Sequence, residues 1–260
     1  MCIAPIKAFY TPSGMTFWPV SGSEEGSAPC GKCAGCRSRQ AMDWSTRIWC
    51  ESRLYEQNAF ITLTYANAPS NTREAVEDWK CFLKALRRRI GKLRYFAVTE
   101  RGDLFGRLHH HAIIFGHDFL EPAKKAALIS AWSTQSGAGF VDVAACEPAS
   151  INYVAGYTAK KIKAATDDDP KVRPSINPPI GYDWLRLYRD DVHRIGGIVV
   201  NGSIRPIPEM FKHRDKHGLR HVMADRKHFA KTEFQQPEAV KARTERFQFL
   251  ERQRQLKSKF

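Results

Sequence analysis

Three consecutive histidines, His109, His110 and His111, sit inside the apolar run from Leu108 to Phe115. Alternate side chains of a β-strand share a face, so His109 and His111 project together while His110 projects to the other side. Two imidazoles on one face of a rigid element are half of a metal site. Further along come two tyrosines four residues apart, in Tyr153-Val-Ala-Gly-Tyr157-Thr-Ala-Lys160-Lys161. On a helix that spacing puts both phenols on one stripe, with Lys160 close to it. A phenol titrates at about 10 and is a weak nucleophile at neutral pH, so a polarised phosphate and an ammonium from Lys160 or Lys161 would both help it attack. Each piece also has a plainer reading, as strand histidines satisfied in a core and tyrosines packing on a sheet.

These side chains need elements to position them. Ala59 to Tyr65 alternates and is rich in β-branched residues, as a strand should be. Asn71-Thr-Arg-Glu74 resembles a capping box, and the periodic Val76, Trp79, Phe82, Leu83, Leu86 and Ile90 predict a helix behind it that ends at Gly91. Arg94 to Glu100 and Leu108 to Gly116 read as strands joined by a Gly-containing hairpin loop. A helix from Glu121-Pro122 to Gly137, a strand from Gly139 to Val143 and a helix from Pro148 through Lys161 complete the series. The order β-α-β-β-α-β followed by a helix predicts an α+β, ferredoxin-like (split βαβ) fold: an antiparallel sheet with helices on one face. In such a sheet Glu100 comes round the hairpin close to His109. Two neutral imidazoles and a carboxylate leave open positions on a divalent ion, and this donor set suits Mn²⁺ or, with waters, Mg²⁺. Such an ion could polarise a phosphoryl oxygen.

The chain has 260 residues and a formal charge of +14. That excess of Lys and Arg favours a polyanion as partner, nucleic acid ahead of membrane, because cations gain by displacing counterions from phosphates. No apolar stretch approaches the length of a spanning helix, and the N-terminus lacks a secretory pattern, so a cytoplasmic protein is expected. Seven cysteines without a secretory signal argue for reduced thiols. Three of them, Cys30, Cys33 and Cys36, are separated by two residues each, and sulfur ligands so spaced select Zn²⁺. Cys2 is the fourth candidate ligand. The alternative is a set of small residues in a Gly-rich turn.

Three segments follow from these patterns. Residues 1–58 form a Cys-rich N-terminal segment, with residues 1–29 as loop and a helix from Arg37 to Gln57. Residues 59–165 form the split βαβ domain, and residues 166–260 a linker and basic C-terminal extension. The extension holds strand-like pieces around Ile198-Val-Val200, a turn at Asn201-Gly202 and a charged helix from Pro237 to Phe260. The basic stretch Arg87-Arg-Arg89, Lys92 and Arg94 could track a DNA backbone, or could be a solvated helix face. Trp44, Trp49 and Trp132 could stack on unpaired bases, although each also suits a core.

Taken in order, Phe60-Ile-Thr-Leu-Thr-Tyr65, Gly106-Arg-Leu-His109-His-His111-Ala-Ile-Ile-Phe-Gly116 and Tyr153-Val-Ala-Gly-Tyr157-Thr-Ala-Lys-Lys161 resemble the three motifs of HUH replication initiators. The likeness is strongest to initiators of microviruses, small single-stranded DNA phages, and among them to the gokushovirus branch. Pro29-Cys-Gly-Lys-Cys-Ala-Gly-Cys-Arg37, Pro179-Ile-Gly-Tyr-Asp-Trp184 and Val199-Val-Asn-Gly202 extend it over most of the chain. The resemblance implies that residues 59–165 are an HUH endonuclease domain and that His109 and His111 bind the metal. Glu100 would be the acidic ligand, within a Val98-Thr-Glu-Arg-Gly102 that departs from the phage Gly-Glu-Tyr-Gly. Tyr153 and Tyr157 would be paired nucleophiles with Lys160 and Lys161 beside them. His110 stands at a position that is usually a bulky hydrophobic, and Leu108 where proline is usual. The implied reaction is transesterification at a replication origin: a tyrosine attacks single-stranded DNA, a 5′-phosphotyrosyl link forms, and the freed 3′-OH primes host polymerase for rolling-circle copying. The second tyrosine serves the closing cleavage. No Gly-x-x-x-x-Gly-Lys loop is present, so the host would supply the helicase, in the bacterial cytoplasm.

Competing readings remain within reach of the same residues. A plasmid initiator, relaxase or single-strand transposase shares the chemistry, but a relaxase usually places its tyrosine ahead of the histidines. A non-catalytic, zinc-containing nucleic-acid-binding protein with a ferredoxin-like sheet would form no covalent adduct. A metal-dependent hydrolytic nuclease would leave no protein on the 5′ end.

Overall fold

A computed structural model of the chain describes residues 2–12, 14–102, 106–159, 170–215, 218–219 and 245. The chain divides into two compact units, one formed by Ala41–Lys216 and the other by Met1–Gln40 with the C-terminal residues from His217. The expected lysines of the site, Lys160 and Lys161, and the expected helix from Pro237 to Phe260 lie outside the described residues.

Composition predicts loop for residues 1–29, and the structure corrects this. Ile6–Thr11 (β1), Gly14–Thr16 (β2) and Glu24–Ala28 (β3) form an antiparallel sheet in the order β2-β1-β3. Ile6-Lys-Ala-Phe-Tyr-Thr11 carries the β-branched and aromatic residues that a pleated surface accepts. The Pro and Ser residues that obscure the pattern fall mainly in the connections, where Ser23 Oγ donates to the carbonyl of Val20 at 2.6 Å. Ala34–Ser52 (α1) follows, and ends earlier than its periodicity predicts. There the side-chain amide of Asn58 donates to the carbonyls of Ser52 and Tyr55, at 3.1 and 3.3 Å, and occupies acceptors that a further turn would need.

Asn58–Tyr65 (β4), Thr72–Ile90 (α2), Arg94–Arg101 (β5), Leu108–Phe115 (β6), Pro122–Trp132 (α3) and Ala138–Ala145 (β7) give the expected β-α-β-β-α-β order. Pro148–Gly156 (α4) runs into a 3-10 turn, Tyr157–Ala159, and Lys171–Pro174 (β8) adds a last strand. The sheet is antiparallel in the order β7-β4-β6-β5-β8, the ferredoxin-like arrangement with one extra edge strand. β8 and the helix Tyr182–Ile195 (α5) arise from sequence read as linker and short strand pieces. α5 buries Trp184, Leu185 and Val192 on one face, beneath a charged run that dominates its composition. Ile198–Val200 (β9), Ser203–Arg205 (β10) and Glu209–Arg214 (α6) complete the described elements, with the expected turn at Asn201-Gly202.

α2 begins where its cap predicts. Asn71 accepts from the amide of Glu74 at 3.0 Å, while the Glu74 carboxylate turns back to the amide of Ser70 rather than to Asn71's own. Its apolar stripe, with Trp79, Phe82 and Leu86, packs with Leu128 and Trp132 of α3 against Ile61, Leu63, Ala97, Ala112 and Ile114. Each such side chain, fully buried, stabilises the fold by about 1.5–3 kcal/mol. The opposite face is covered as well: Ile48 of α1 and Ile151 and Val154 of α4 meet Phe96, Val98, Ile113 and Phe115. That is why Ala112-Ile-Ile-Phe115 is an unbroken apolar run, since a strand covered on both faces has no polar side to alternate with.

Candidate active site

The strand periodicity sets the first ligands. On β6, Ile113 and Phe115 point to the face shared with α4, and so do His109 and His111; Leu108, His110, Ala112 and Ile114 point to the α2 side. Register places Glu100 of β5 directly across from His109, and Thr62 of β4 across from His111. Glu100 Oε1 lies 3.2 Å from His109 Nε2, and ligand atoms of Glu100, His109 and His111 lie within 4.8 Å of one another. Gly102 makes room for this, because a Cβ there would come within 3.1 Å of His109 Cε1.

The partners of each ring decide which nitrogen faces the cluster. His109 Nδ1 is 3.1 Å from the Arg107 carbonyl, which can only accept, so the proton sits on Nδ1 and Nε2 presents a lone pair to Glu100. Two acceptor atoms 3.2 Å apart repel one another unless a proton or a cation joins them. This donor set therefore fits a divalent ion. His111 Nδ1 contacts Thr62 Oγ1 at 3.1 Å, leaving its Nε2 directed at Tyr153. The His111 ring is clamped between Phe60 and Tyr157, each stacked at a centroid distance of 5.6 Å.

Both tyrosines converge on this cluster. Pro148 occupies the first turn of α4, and Ser150 Oγ accepts from the amide of Glu147 at 2.8 Å, which fixes where the helix starts. Tyr153 Oη then lies 3.4 Å from His111 Nε2, and Tyr157 donates a hydrogen bond to Tyr153 Oη. The two phenols are not equivalent. Tyr153 is 50% exposed and Tyr157 only 7%. Burial, helped by the hydrogen bond to Tyr153 and by Glu100, pushes the Tyr157 phenol well above its ordinary value.

His110 has a different environment from its neighbours. Thr99 Oγ1 is 2.8 Å from its Nδ1, Tyr65 Oη is 2.9 Å from its Nε2, and Tyr65 donates onward to Asp78 at 2.9 Å. Full burial, reinforced by His109 and His111, pulls its pKa down to about 3, so it is neutral. The chain Thr99–His110–Tyr65–Asp78 ties β5, β6, β4 and α2 together and fixes the register that presents the other two histidines.

The four N-terminal cysteines also meet. Sulfurs of Cys2, Cys30, Cys33 and Cys36 lie within 4.8 Å of one another, with Cys33 Sγ 3.8 Å from Cys2 Sγ. A tetrahedral site with metal–sulfur bonds of about 2.3 Å separates its sulfurs by about 3.8 Å. Backbone amides support the sulfurs: that of Cys30 donates to Cys2 Sγ and that of Cys33 to Cys30 Sγ, both at 3.3 Å. Burial opposes ionisation of Cys33, but the amides of Ile3 and Cys36 and the neighbouring thiols outweigh it and bring its pKa to about 6. Burial pushes Cys36 up to about 12. Both clusters are compatible with metal binding.

A family model for replication-associated proteins of the ORF2 kind matches residues 58–162. Over 240 residues the chain is 28% identical to "Replication-associated protein VP4" of Bdellovibrio phage phiMH2K, covering 81% of this chain and 76% of that protein. It is 28% identical to "Replication-associated protein ORF4" of Chlamydia phage 1, over 71% of this chain and 52% of the relative. It is also 28% identical to "Replication-associated protein ORF2" of Spiroplasma virus 4, over 64% of this chain and 60% of the relative. These matches support a microvirus-like replication initiator. The chain spans about half of the Chlamydia phage relative's length and more of the other two. No solved structure matches.

The family match begins with β4 and runs past Tyr157, so it takes in Glu100, His109, His111 and both tyrosines of the microvirus-like initiator. Sequence reasoning missed Thr62 and Phe60, which orient His111, and Tyr65, which anchors His110. The signal was available in the alternation of Phe60-Ile-Thr-Leu-Thr-Tyr65, whose even members share the His109 face. Trp132, offered as a stacking residue, is fully buried, and its Nε1 donates to the Thr64 carbonyl at 3.0 Å.

Proposed function

We propose that this chain begins phage genome replication by nicking and rejoining single-stranded DNA at an origin, through a 5′-phosphotyrosyl intermediate. The observation that carries the reading is Tyr153 Oη at 3.4 Å from His111 Nε2, within a Glu100, His109, His111 cluster. In this reading residues 59–165 form the endonuclease domain. Glu100, His109 and His111 would hold Mn²⁺ or Mg²⁺, which polarises a phosphoryl oxygen when bound. Tyr153, the exposed phenol, attacks the scissile phosphorus in line. The P–O3′ bond breaks, the leaving oxygen takes up a proton to become a 3′-OH, and the 5′ phosphate stays on Tyr153. Tyr157 stabilises charge on the attacking oxygen by donating to it. Once Tyr153 is occupied, Tyr157 serves the closing cleavage while a 3′-OH reseals the first link. The bond energy is kept in the tyrosyl ester, so joining needs no nucleotide.

Lys160 and Lys161, outside the described residues, are assigned to the phosphate by their nearness in sequence to Tyr157. Cys2, Cys30, Cys33 and Cys36 are assigned a structural Zn²⁺ on the strength of their tetrahedral spacing. Host helicase and polymerase extend the 3′-OH in the host cytoplasm. Among the described residues no helix is long and apolar enough to cross a membrane.

Incubation of the chain with origin-containing single-stranded DNA and Mn²⁺, followed by denaturing electrophoresis, tests the reaction class. A slow-migrating, metal-dependent protein–DNA species is expected. Binding without cleavage would favour the non-catalytic reading, and cleaved DNA with no attached protein would favour a hydrolytic nuclease.

A further inference from the structure

The basic run from Arg87 to Arg94 does not act as one surface. Arg94 is structural: its guanidinium pairs with buried Glu51 and donates to the Pro178 carbonyl at 2.9 Å, and Glu51 in turn accepts from the amide of Gly181 at 2.7 Å. Arg89 is tied to Ser130 Oγ at 3.0 Å and to the Ala85 carbonyl at 2.9 Å. The other cations face an open groove of about 980 Å³ between the end of α2 and the edge strand β8. Lys80, Arg87, Lys92 and Arg173 line it, and a smaller adjoining hollow adds Lys84 and Arg88. Among the described residues no carboxylate lines either one. Lys84, Arg88, Lys92 and Arg173 are exposed and have no ion-pair partner among the described residues.

The groove has an apolar wall as well. The Tyr95 ring is half-buried, with the Arg87 guanidinium 5.7 Å from its centroid, and Ile176 beside it is 76% exposed. Cations that follow a backbone and rings that take unstacked bases are the two parts of a single-strand site. A duplex would hide its bases from that wall.

We propose that this groove is a second binding site for single-stranded DNA, separate from the nicking site. Arg173 sits opposite Ala97 in register, so it projects to the α2 side of the sheet, away from His109 and His111. Along the hairpin the groove lies at the Arg94–Phe115 end and the metal cluster at the Glu100–His109 end. Six residues of strand separate them, about 20 Å. The groove therefore holds DNA flanking the cleaved phosphate and keeps the strand attached while the reacting end is exchanged. The choice of DNA rests on the replication reading; the groove itself rests on its charge and shape.

The test uses the full chain with a fluorescent oligo(dT), read by anisotropy across a salt series. Replacing both Lys92 and Arg173 by Gln should lower affinity severalfold and reduce the salt slope by about 1.4, at about 0.7 for each lost phosphate contact on a single strand. Replacing Arg186 and Arg194, the paired cations of α5, should leave both unchanged. A duplex of equal length should lose less affinity than the single strand. Unchanged slope in the groove variant, or equal loss for duplex, would overturn the assignment. If the double variant melts at a lower temperature, Lys92→Gln alone, on an exposed connection, is read instead, with a slope change of about 0.7. Nicking is scored in parallel on a short oligonucleotide confined to the nick site. Loss of adduct formation in wild type would sink the proposed reaction and leave the groove standing, whereas the salt slope alone decides the groove.

Discussion

Thr62→Val isolates the orientation of one ligand from everything else in the site. Valine matches threonine in shape, so the change removes the 3.1 Å contact from Thr62 Oγ1 to His111 Nδ1 and leaves Phe60 and Tyr157 stacked on the ring. A net side-chain hydrogen bond is worth about 1 kcal/mol, and an Nδ1–H left without a partner in a part-buried site costs about 1–3 kcal/mol. Divalent-ion affinity should therefore fall about five- to thirtyfold, which overlaps the range of about 10–100-fold for lost outer partners of metal-binding histidines. Isothermal titration calorimetry with Mn²⁺ measures it. Thr64→Val is the matched control, because Thr64 Oγ1 bridges to the Phe140 amide and carbonyl at 2.8 and 3.1 Å instead of to a ligand. It should lower the unfolding temperature and leave Mn²⁺ affinity intact. If Thr62→Val binds Mn²⁺ as wild type does, His111 is not held in its ligating tautomer by Thr62, and the reasoning about Nε2 fails.

Three further outcomes are expected. Tyr157→Phe should still form a first covalent adduct, several times more slowly, and should lose strand transfer in a two-oligonucleotide rejoining assay. Cys33→Ser should abolish stoichiometric zinc, measured by elemental analysis, and lower the unfolding temperature of the chain, while Cys81→Ser, at an exposed thiol, should do neither. The third concerns pH. His110 takes up a proton near pH 6.5 when unfolded but only at about 3 when folded. The unfolded chain thus binds the extra proton between those values, so this contribution to stability is complete above pH 6.5 and is lost as pH falls towards 3. Denaturant midpoints in metal-free buffer should show that loss, and His110→Phe should flatten that part of the profile.

The strand and helix order of the sheet was legible because period-2 and period-3.6 patterns alternate cleanly from Ala59 to Val143. The same alternation put His109 and His111 on one face and Glu100 across the hairpin. What escaped reading had weak or masked patterns. The β1 to β3 sheet is short, and its turns are rich in Pro, Ser and Gly. α5 hides Trp184, Leu185 and Val192 among charges. The helical reading of Glu121 to Gly137 ran too long because α3 ends at Trp132 and the chain then turns. Gly137 is needed there: its φ is 73° and a Cβ would meet the Asn67 carbonyl oxygen at 2.0 Å. The basic run near Arg89 could not be sorted from sequence, since only packing shows that Arg94 neutralises Glu51 while Lys92 faces solvent.

The most direct test of the convergence of metal and phenol is to map the covalent adduct. The chain is trapped on single-stranded origin DNA in Mn²⁺, digested, and the nucleotide-bearing peptide is sequenced by mass spectrometry. The adduct should lie on Tyr153, and Tyr153→Phe should remove it from the first cleavage, as should Glu100→Gln through loss of the metal. An adduct that survives replacement of both Tyr153 and Tyr157, or one that forms equally well in chelator, would contradict the account.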